Sequence, residues 1–268
     1  MPKEPIAHHT TLRYEDGAIH YKDDNLSVEE PLEIVIDDYP YAITMRLPGD
    51  DINLVRGFLF TEGVIGTGLD ATSIAHCQGH MGEGRVLVTL APGQARKDGF
   101  YRQRNEYLSK SSCGVCGKTT LDEIYTDIPP VTARDTFPFR DVIDCMATVS
   151  RQKAIFALTG STHSASLFTR GRELLAFAED VGRHNAFDKA IGAVVGAGRE
   201  AEAAMAIVSS RLSFEMVQKA GMIGVQVLAG ISAPTLLAIQ FAERCNMTLI
   251  GFLRGTKMNV YTHVDRMV

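Results

Sequence analysis

Apolar and polar positions alternate through most of the first hundred residues, with one helical interruption. Residues 31–49, PLEIVIDDYPYAITMRLPG, alternate on both sides of an Asp-Asp-Tyr-Pro turn, as a β-hairpin does. RVLVTLAP, at 85–92, predicts a further strand. Between them, residues 50–63 place apolar side chains on one helical face, and Asp50 or Asp51 is positioned to cap the helix start. These patterns predict a strand-rich N-terminal part that contains one helix.

From about residue 134 the pattern changes, and short apolar runs alternate with helical periodicity. Three helices are predicted: one capped by Asn185, one over 213–221, and one over 232–245 with Ser232 as its cap. Helices and strands in alternation predict a layered α/β domain with a mostly parallel or mixed sheet. The strand-length runs are AIFALT (154–159), HSASLFT (163–169), ELLAFAE (173–179), AMAIVSS (204–210), GVQVLAG (224–230) and LIGFLR (249–254).

A polar stretch at 99–118, without apolar periodicity, separates the two patterns and contains the Cys-x-x-Cys motif of SSCGVCGKTT. The sequence therefore predicts three parts, and an α+β organisation overall. These are a strand-rich N-terminal domain at 1–108, a Cys-x-x-Cys loop and linker at 109–133, and an α/β domain at 134–268.

Charge and composition narrow the class of function. The net charge is −5 and no basic stripe is visible, so we do not expect nucleic-acid binding. The N-terminus lacks an apolar signal region, and no run approaches the roughly 18 apolar residues that cross a bilayer. We therefore expect a cytoplasmic protein without a membrane partner. Five dispersed cysteines do not make a disulfide framework, and in a reducing compartment a Cys-x-x-Cys pair indicates chemistry or metal binding.

The pair Cys113 and Cys116 fits some kinds of site better than others. A phosphate loop requires a glycine where Ser112 stands, and a structural zinc site requires a second ligand pair. A thioredoxin-like pair would close a strand and open a helix, whereas this pair lies in a polar loop. A thiol on a loop that can extend into the active sites of other proteins suits persulfide transfer. Lys110 and Lys118 flank the pair, and nearby positive charge favours the reactive thiolate. We assign no metal ligands, but an intersubunit zinc site and an exposed dithiol without a role stay open.

Polar residues also follow three predicted strands where each strand meets a helix. Such junctions lie at one edge of an open α/β sheet, where ligands bind and helix N-termini offer amides to phosphate. His163 and His184 are the histidines expected to face this edge. Alternatively, Asn185 and Ser232 only cap helices, and the arginines pair with surface acids. The residues that could converge on a nucleotide or another phosphorylated ligand are Arg183, Ser209, Ser210, Arg211 and Ser232.

Five blocks occur in one order along the chain: SSCGVCGK, DVGRHNAFDKAIG, SSRLSFEMVQKA, GISAPTLLAIQFAE and MNVYTH. Together they resemble the FdhD family of formate dehydrogenase accessory proteins. The resemblance implies a sulfurtransferase that receives persulfide sulfur from a cysteine desulfurase. It also implies transfer of that sulfur to the molybdenum cofactor, Mo-bis(molybdopterin guanine dinucleotide), before the cofactor enters formate dehydrogenase.

The same resemblance implies a fold, an assembly and site residues. The C-terminal domain would have the three-layer α/β/α fold of cytidine deaminases without their zinc site, and the protein would be a homodimer that binds the guanine nucleotide (GDP) part of the cofactor. Cys113 would carry the persulfide, and Cys116 would relay or resolve it. The junctions at Arg183, His184, Arg211 and Ser232 would hold the guanine nucleotide ends. The cofactor-binding segment of the family maps onto Phe252, Leu253, Arg254, Gly255, Thr256 and Lys257.

Two functions of other classes stay open at this point. One is a chaperone that shelters and delivers the cofactor, with the cysteine pair only docking partners. The other is a zinc-stabilised nucleotide-binding domain, which would contain zinc in a fixed ratio to protein.

Overall fold

The computed structural model describes residues 4–77, 84–92, 128, 130–132 and 135–268. It begins with a two-stranded antiparallel ribbon, β1 (Ile6–Glu15) and β2 (Ala18–Ser27). Residues that pair across such a ribbon share a face, and here one face exposes four large apolar side chains. They are Leu12, Tyr14, Ile19 and Tyr21.

The predicted hairpin forms the edge of a four-stranded sheet. Asp37 and Asp38 have φ of 46° and 68°, so they make the two-residue turn, and Tyr39 already belongs to the next strand. The strand predicted at 85–92 is also confirmed, and it pairs in parallel with the first strand of the hairpin. The sheet contains β3 (Glu30–Ile36), β4 (Tyr39–Arg46), β5 (Ala71–His76) and β6 (Arg85–Leu90) in the order β4-β3-β6-β5.

The predicted helix between the strands is α1 (Asp51–Thr61). The prediction that an aspartate side chain caps this helix is wrong, although Asp50 occupies the N-cap position. Its carboxylate accepts a hydrogen bond from Asn53 Nδ2 (2.7 Å) and none from a backbone amide of the helix. The carboxylate of Asp51 is bound instead by the buried guanidinium of Arg46, at 2.8 and 3.0 Å.

The C-terminal part is built on a mixed six-stranded sheet. Its order is β12-β11-β10-β9-β7-β8, in which β9, β10 and β11 are parallel and the outer strands are antiparallel. The strands are β7 (His163–Phe168), β8 (Leu174–Asp180), β9 (Met205–Val208), β10 (Val227–Gly230), β11 (Thr248–Arg254) and β12 (Lys257–Val260). The helices are α2 (Phe139–Gln152), α3 (Ala154–Thr159), α4 (Arg183–Gly196), α5 (Phe214–Met222) and α6 (Leu236–Arg244).

Alternate side chains of the central strands fill two separate cores. On β9, Met205 and Ile207 pack with residues of α2, whereas Ala206 and Val208 pack with residues of α4, α5 and α6. The sheet is therefore the middle layer of an α/β/α sandwich, as the family resemblance implies. The core on the α4 side also contains residues of α1 and of the four-stranded sheet, so it is continuous between the N-terminal and C-terminal parts.

Three local predictions in this part are wrong. AIFALT is a helix, α3, because the Glu179 carboxylate accepts the backbone amides of Ile155 (3.0 Å) and Phe156 (2.8 Å) at its first turn. Asn185 lies inside the first turn of α4, and Gly182 is at the N-cap. Ser232 does not cap α6, because Thr235 Oγ1 accepts the Ala238 amide (3.2 Å) and the helix begins at Leu236.

Two glycines let α1 and α4 touch through their backbones. A Cβ on Gly57 would lie 1.8 Å from the carbonyl oxygen of Asp188, and one on Gly192 would lie 1.9 Å from that of Asn53. Any larger residue would push the helices apart at this crossing. Because α1 belongs to the N-terminal part and α4 to the C-terminal part, this crossing sets how closely the two parts pack.

Within the part of the chain that the structure describes, none of the helices has the length and apolar character needed to span a bilayer. Most of the predicted linker at 109–133 lies outside the described residues, so the domain boundaries stay predictions.

Candidate functional site

The carboxyl ends of the parallel strands open into a cleft of about 250 Å³. Because β7 is antiparallel to β9 and β8 is antiparallel to β7, the start of β7 and the end of β8 lie at this same edge. The junctions singled out in the sequence therefore meet at one place. The cleft is lined by His163, Arg183, Ser209, Ser210, Arg211, Ile231, Ser232 and Arg254.

Three arginines give the cleft its positive charge, and none of the described residues that line it is a carboxylate. Arg183 is the first residue of α4, and its Nε is buried without a hydrogen-bond partner among the described residues. Arg254, at the end of β11, donates Nε to the carbonyl of Ile231 (3.2 Å). A buried guanidinium nitrogen left without an acceptor is costly unless a ligand supplies one. The arrangement fits a phosphate-bearing ligand.

His163 and Ser209 form a pair in the wall of the cleft. Nδ1 of His163 lies 3.3 Å from Oγ of Ser209, and that oxygen also accepts the amide of Ser164 at 2.8 Å. Oγ of Ser209 retains its own proton and a second lone pair, so it can donate to Nδ1 or accept from it, depending on the tautomer of His163. Burial lowers the pKa of His163, and the positive charge of Arg183 lowers it further. A neutral His163 is thus the state that the cleft favours.

His184 was expected to face the cleft, but it contacts Glu215 instead. Its Nε2 lies 3.7 Å from Glu215 Oε2, on α5, and the histidine is not among the residues that line the cleft. The His184 ring is the main cause that lowers the pKa of Glu215 to about 2. Burial opposes this effect, and a hydrogen bond from Ser213 Oγ (2.7 Å) adds to it. His184 therefore stabilises the packing of α4 against α5.

The segment 252–257 is a tight hairpin at the end of β11. Arg254 pairs with Lys257 across the two-residue turn Gly255-Thr256, and a β-bulge precedes it. Phe252 has φ of 52°, a strained value for a bulky residue, and it is 40% exposed. Leu253 is fully buried in the core beneath the sheet. Within this segment, Arg254 is the residue whose side chain lines the cleft.

Comparison with known proteins places the chain in a family. Residues 27–268 match the FdhD/NarQ family. The chain belongs to the FdhD/NarQ family. It is 43% identical over 268 residues to the sulfur carrier protein FdhD of Streptomyces coelicolor, covering 95% of this chain and 93% of that protein. It is 40% identical to the protein of the same name from Anaeromyxobacter dehalogenans, covering 99% of this chain and 95% of that one.

The fold is also that of a solved structure. A protein from Desulfotalea psychrophila, described as a formate dehydrogenase accessory protein, matches with a TM-score of 0.78 and 23% identity. The match covers 98% of this chain and 99% of that one. Residues 6–27, the β1–β2 ribbon, fall almost wholly outside the family match, which begins at residue 27.

Several residues of the FdhD/NarQ block DVGRHNAFDKAIG hold the two parts of the chain together. Lys189 Nζ donates to Asp180 (2.8 Å) and to the carbonyl of Leu47 (2.9 Å), and both side chains are buried. Asn185 donates to the carbonyl of Met45 (2.7 Å). Of the two residues of this block that were predicted to bind the ligand, Arg183 and His184, Arg183 lines the cleft and His184 does not.

Asp188 makes a second buried ion pair, with Lys219 of α5 at 2.8 Å, and Thr61 of α1 bonds to both side chains. The same block therefore also joins α4 to α5 and to α1. Its acidic and amide residues, Asp180, Asp188 and Asn185, therefore bind other parts of the fold.

The cysteines Cys113 and Cys116, with Lys110 and Lys118, lie outside the described residues. Their assignment in this FdhD/NarQ chain therefore stays a prediction. Among the residues that are described, no group of three or more His, Cys, Asp or Glu side chains is arranged to hold a metal ion.

A second cleft, also of about 250 Å³, was not predicted from the sequence. It adjoins the arginine cleft, because both are lined by His163, Ser209 and Ile231. It was missed because its floor includes α3, which the apolar run AIFALT predicts as a strand. One local signal was available: Gly160 directly follows the run and has φ of 67°, as a glycine that ends a helix does.

Proposed function

We propose that this chain is a sulfur carrier that serves a formate dehydrogenase. It takes persulfide sulfur from a cysteine desulfurase and transfers it to Mo-bis(molybdopterin guanine dinucleotide) before that cofactor enters the enzyme. The family and the relatives named sulfur carrier protein FdhD support the carrier role. The observation that carries the proposal for the cofactor is the cleft, where three arginines suit a pyrophosphate group, and one of them has a buried Nε without a partner among the described residues.

The loading step is a thiol exchange. The Cys113 thiolate attacks the terminal sulfur of the desulfurase persulfide, a new S–S bond forms, and the desulfurase cysteine leaves as a thiolate. No electrons are gained or lost overall, and Cys113 ends as the persulfide.

Delivery has two balanced forms, and both use Cys116. In a relay, the Cys116 thiolate attacks the terminal sulfur and becomes the persulfide, while Cys113 leaves as a thiolate. The Cys113 thiolate then attacks the Cys116 sulfur, so that the disulfide forms and the terminal sulfur leaves as hydrosulfide. In resolution, Cys116 attacks the Cys113 sulfur, a Cys113–Cys116 disulfide forms, and the terminal sulfur leaves as hydrosulfide for the cofactor. In both forms the two cysteines supply the two electrons, so a reductant must restore them afterwards.

The cleft residues would bind and orient the substrate. Arg183, Arg211 and Arg254 would neutralise the pyrophosphate that links the pterin to guanosine, and Ser232 would donate a hydrogen bond there. We further propose that the protein acts in the cytoplasm as a homodimer.

The test is persulfide loading followed by intact mass and peptide mapping. After incubation with a cysteine desulfurase and cysteine, the wild type is expected to gain one sulfur on the peptide 111–118, and reductant should remove it. Cys113→Ala should gain none, whereas the control Cys77→Ala, a half-buried cysteine elsewhere, should load as the wild type does. Full formate dehydrogenase activity in cells that contain only Cys113→Ala would contradict the sulfur-transfer step.

A chaperone without sulfur chemistry is the second candidate, and the arginine cleft favours it as well, because the cleft does not depend on the cysteines. In that case Cys113→Ala would keep activity, and Arg254→Ala would lose it. Stoichiometric zinc in protein purified without chelators would instead support the zinc-stabilised alternative.

A further inference from the structure

The β1–β2 ribbon carries four large apolar side chains on one face. The register pairs Leu12 with Tyr21 and Tyr14 with Ile19, so all four side chains share that face. The exposed fractions are 59% for Leu12, 67% for Ile19, 73% for Tyr14 and 80% for Tyr21. A contiguous apolar patch of this kind marks an interaction site, whereas apolar residues scattered singly over a surface do not.

The other face of the ribbon is polar. At the same level along the strands it carries Arg13, His20 and Lys22. A strand that alternates in this way packs its apolar face and leaves its polar face in water. Residues 12–23 are nevertheless all exposed, and an isolated two-stranded ribbon is only marginally stable in water. The ribbon therefore needs a partner that covers its apolar face.

The base of the ribbon is fixed to the rest of the chain. Oγ of Ser27 lies 3.0 Å from Thr159 Oγ1, at the end of α3, and 2.6 Å from Ser161 Oγ. The amide of Val28 donates to the carbonyl of Pro5 (2.9 Å), which closes the base. The far half, where the four apolar side chains lie, is the exposed part and is open to another molecule.

We infer that this apolar face binds the same face of a second copy of the chain, so that the two ribbons form part of a homodimer interface. The inference rests on the proposed homodimer, for which it names a surface. The ribbon falls almost wholly outside the family match, which begins at residue 27, so membership of the family does not supply this contact.

The four side chains are arranged to be self-complementary. Each cross-strand pair joins one tyrosine to one aliphatic residue, and the tyrosines are diagonal, with Tyr14 on β1 and Tyr21 on β2. A two-fold axis in the plane of the interface exchanges either the two strands or the two levels along them. Either exchange sets each tyrosine against an aliphatic side chain of the other copy.

The area of the face is sufficient for a dimer. Aromatic side chains bury roughly 150–250 Å² each when they are covered, so the exposed parts of the four residues give on the order of 500 Å² per copy. Two copies packed face to face would bury about 1,000 Å², which is the area that a specific interface needs. A different protein would be selected by complementary charges, and the four residues carry none.

The experiment is sedimentation equilibrium of the full chain over a series of concentrations. The wild type is expected to be a dimer, and Tyr21→Ser should raise its dissociation constant at least about thirtyfold, because the substitution occurs twice in a two-fold interface. Lys22→Ser is the matched control, since Lys22 is the next residue of β2 and lies on the polar face. It should change the dissociation constant by less than about threefold.

Photocrosslinking tests the contact even where Tyr21→Ser also disorders the ribbon. A heavy-isotope-labelled chain with p-benzoylphenylalanine in place of Tyr21 is allowed to exchange subunits with unlabelled chain. We expect its crosslink to reach residues 6–27 of the unlabelled chain. A crosslink to another part of the unlabelled chain would overturn the inference, and so would equal dissociation constants for Tyr21→Ser and Lys22→Ser.

The oligomeric state of the wild type separates this inference from the proposed function. A monomeric wild type would overturn both the ribbon contact and the proposed homodimer. A dimer that Tyr21→Ser leaves intact would overturn the ribbon contact alone. The carrier role is tested independently by sulfur loading of Cys113.

Discussion

At the scale of single residues, the sequence predicts which residues lie at the sheet edge better than it predicts what their side chains contact. Arg183, Arg211 and Ser209 were expected at the sheet edge and they line the cleft. His184 was expected beside them and instead contacts Glu215. The reason is geometric, because His184 follows Arg183 by one position on a helix, so the two side chains point about 100° apart. Nothing in the local sequence indicates that α5 brings a carboxylate to that side.

The contact between His184 and Glu215 predicts a change of stability with pH. The folded pKa of Glu215 is about 2, below its ordinary value of 4.5, so its stabilising effect is present above about pH 5 and disappears as the pH falls toward 2. Glu215→Gln should therefore lower the free energy of unfolding at pH 7, on the order of 1–2 kcal/mol after allowance for partial solvent exposure. Urea unfolding of wild type and variant measures it. An equal difference at pH 7 and at pH 2.5 would show that the charge is not responsible.

At the scale of elements, the crossing of α1 and α4 gives a prediction with a built-in control. Gly57→Ala would place a Cβ against backbone, which cannot move alone, so we expect a loss of about 3 kcal/mol or more of unfolding free energy. In Gly196→Ala, at the end of the facing helix α4, the three atoms nearest the new Cβ all belong to the guanidinium of Arg56, the closest at 2.3 Å, and this is the far end of a flexible side chain that can move aside. Thermal unfolding should show a large shift for the first variant and a small one for the second. Similar shifts would mean that the crossing adapts.

The elements also show which parts of the fold local pattern predicts. The hairpin and α1 follow from periodicity, because each has one face in the core and one that is less buried. Most strands of the large sheet follow instead from short continuous apolar runs, because both of their faces are buried. The helix α3 does not, since its stabilising partner Glu179 lies about 24 residues away in sequence. The N-cap of α6 was predicted at Ser232, whereas the structure has it at Thr235. Serine and threonine have similar N-cap propensity, so only the path of the chain at Pro234 distinguishes the two positions. The second cleft was not predicted because α3, which lines it, was predicted as a strand.

At the scale of the whole molecule, the two parts of the chain form one structural unit among the described residues. The continuous core, the backbone crossing of α1 and α4, and the hydrogen bonds that two buried ion pairs make to Leu47 and Thr61 join them. One consequence concerns the cleft. Arg183 begins α4, and α4 is held by hydrogen bonds to the N-terminal part, so the position of the arginine depends on residues that do not line the cleft.

Lys189→Met tests whether this unit unfolds cooperatively. The substitution keeps the apolar stem. Among the described residues it leaves Asp180, which is fully buried, with only the amides of Leu47 (3.1 Å) and Gly182 (2.9 Å) and the side chain of Asn185 as donors. Removing one partner of a buried pair typically costs about 3–5 kcal/mol, because the remaining charge is uncompensated. We expect one unfolding transition, by circular dichroism and calorimetry, at a lower temperature than in the wild type. Arg199→Met is the control, because its ion pairs with Glu173 and Glu202 are at the surface, and it should change little. Two separate transitions in Lys189→Met, only one of them shifted, would show that the N-terminal and C-terminal parts fold independently, and α4 could then not transmit order from one to the other.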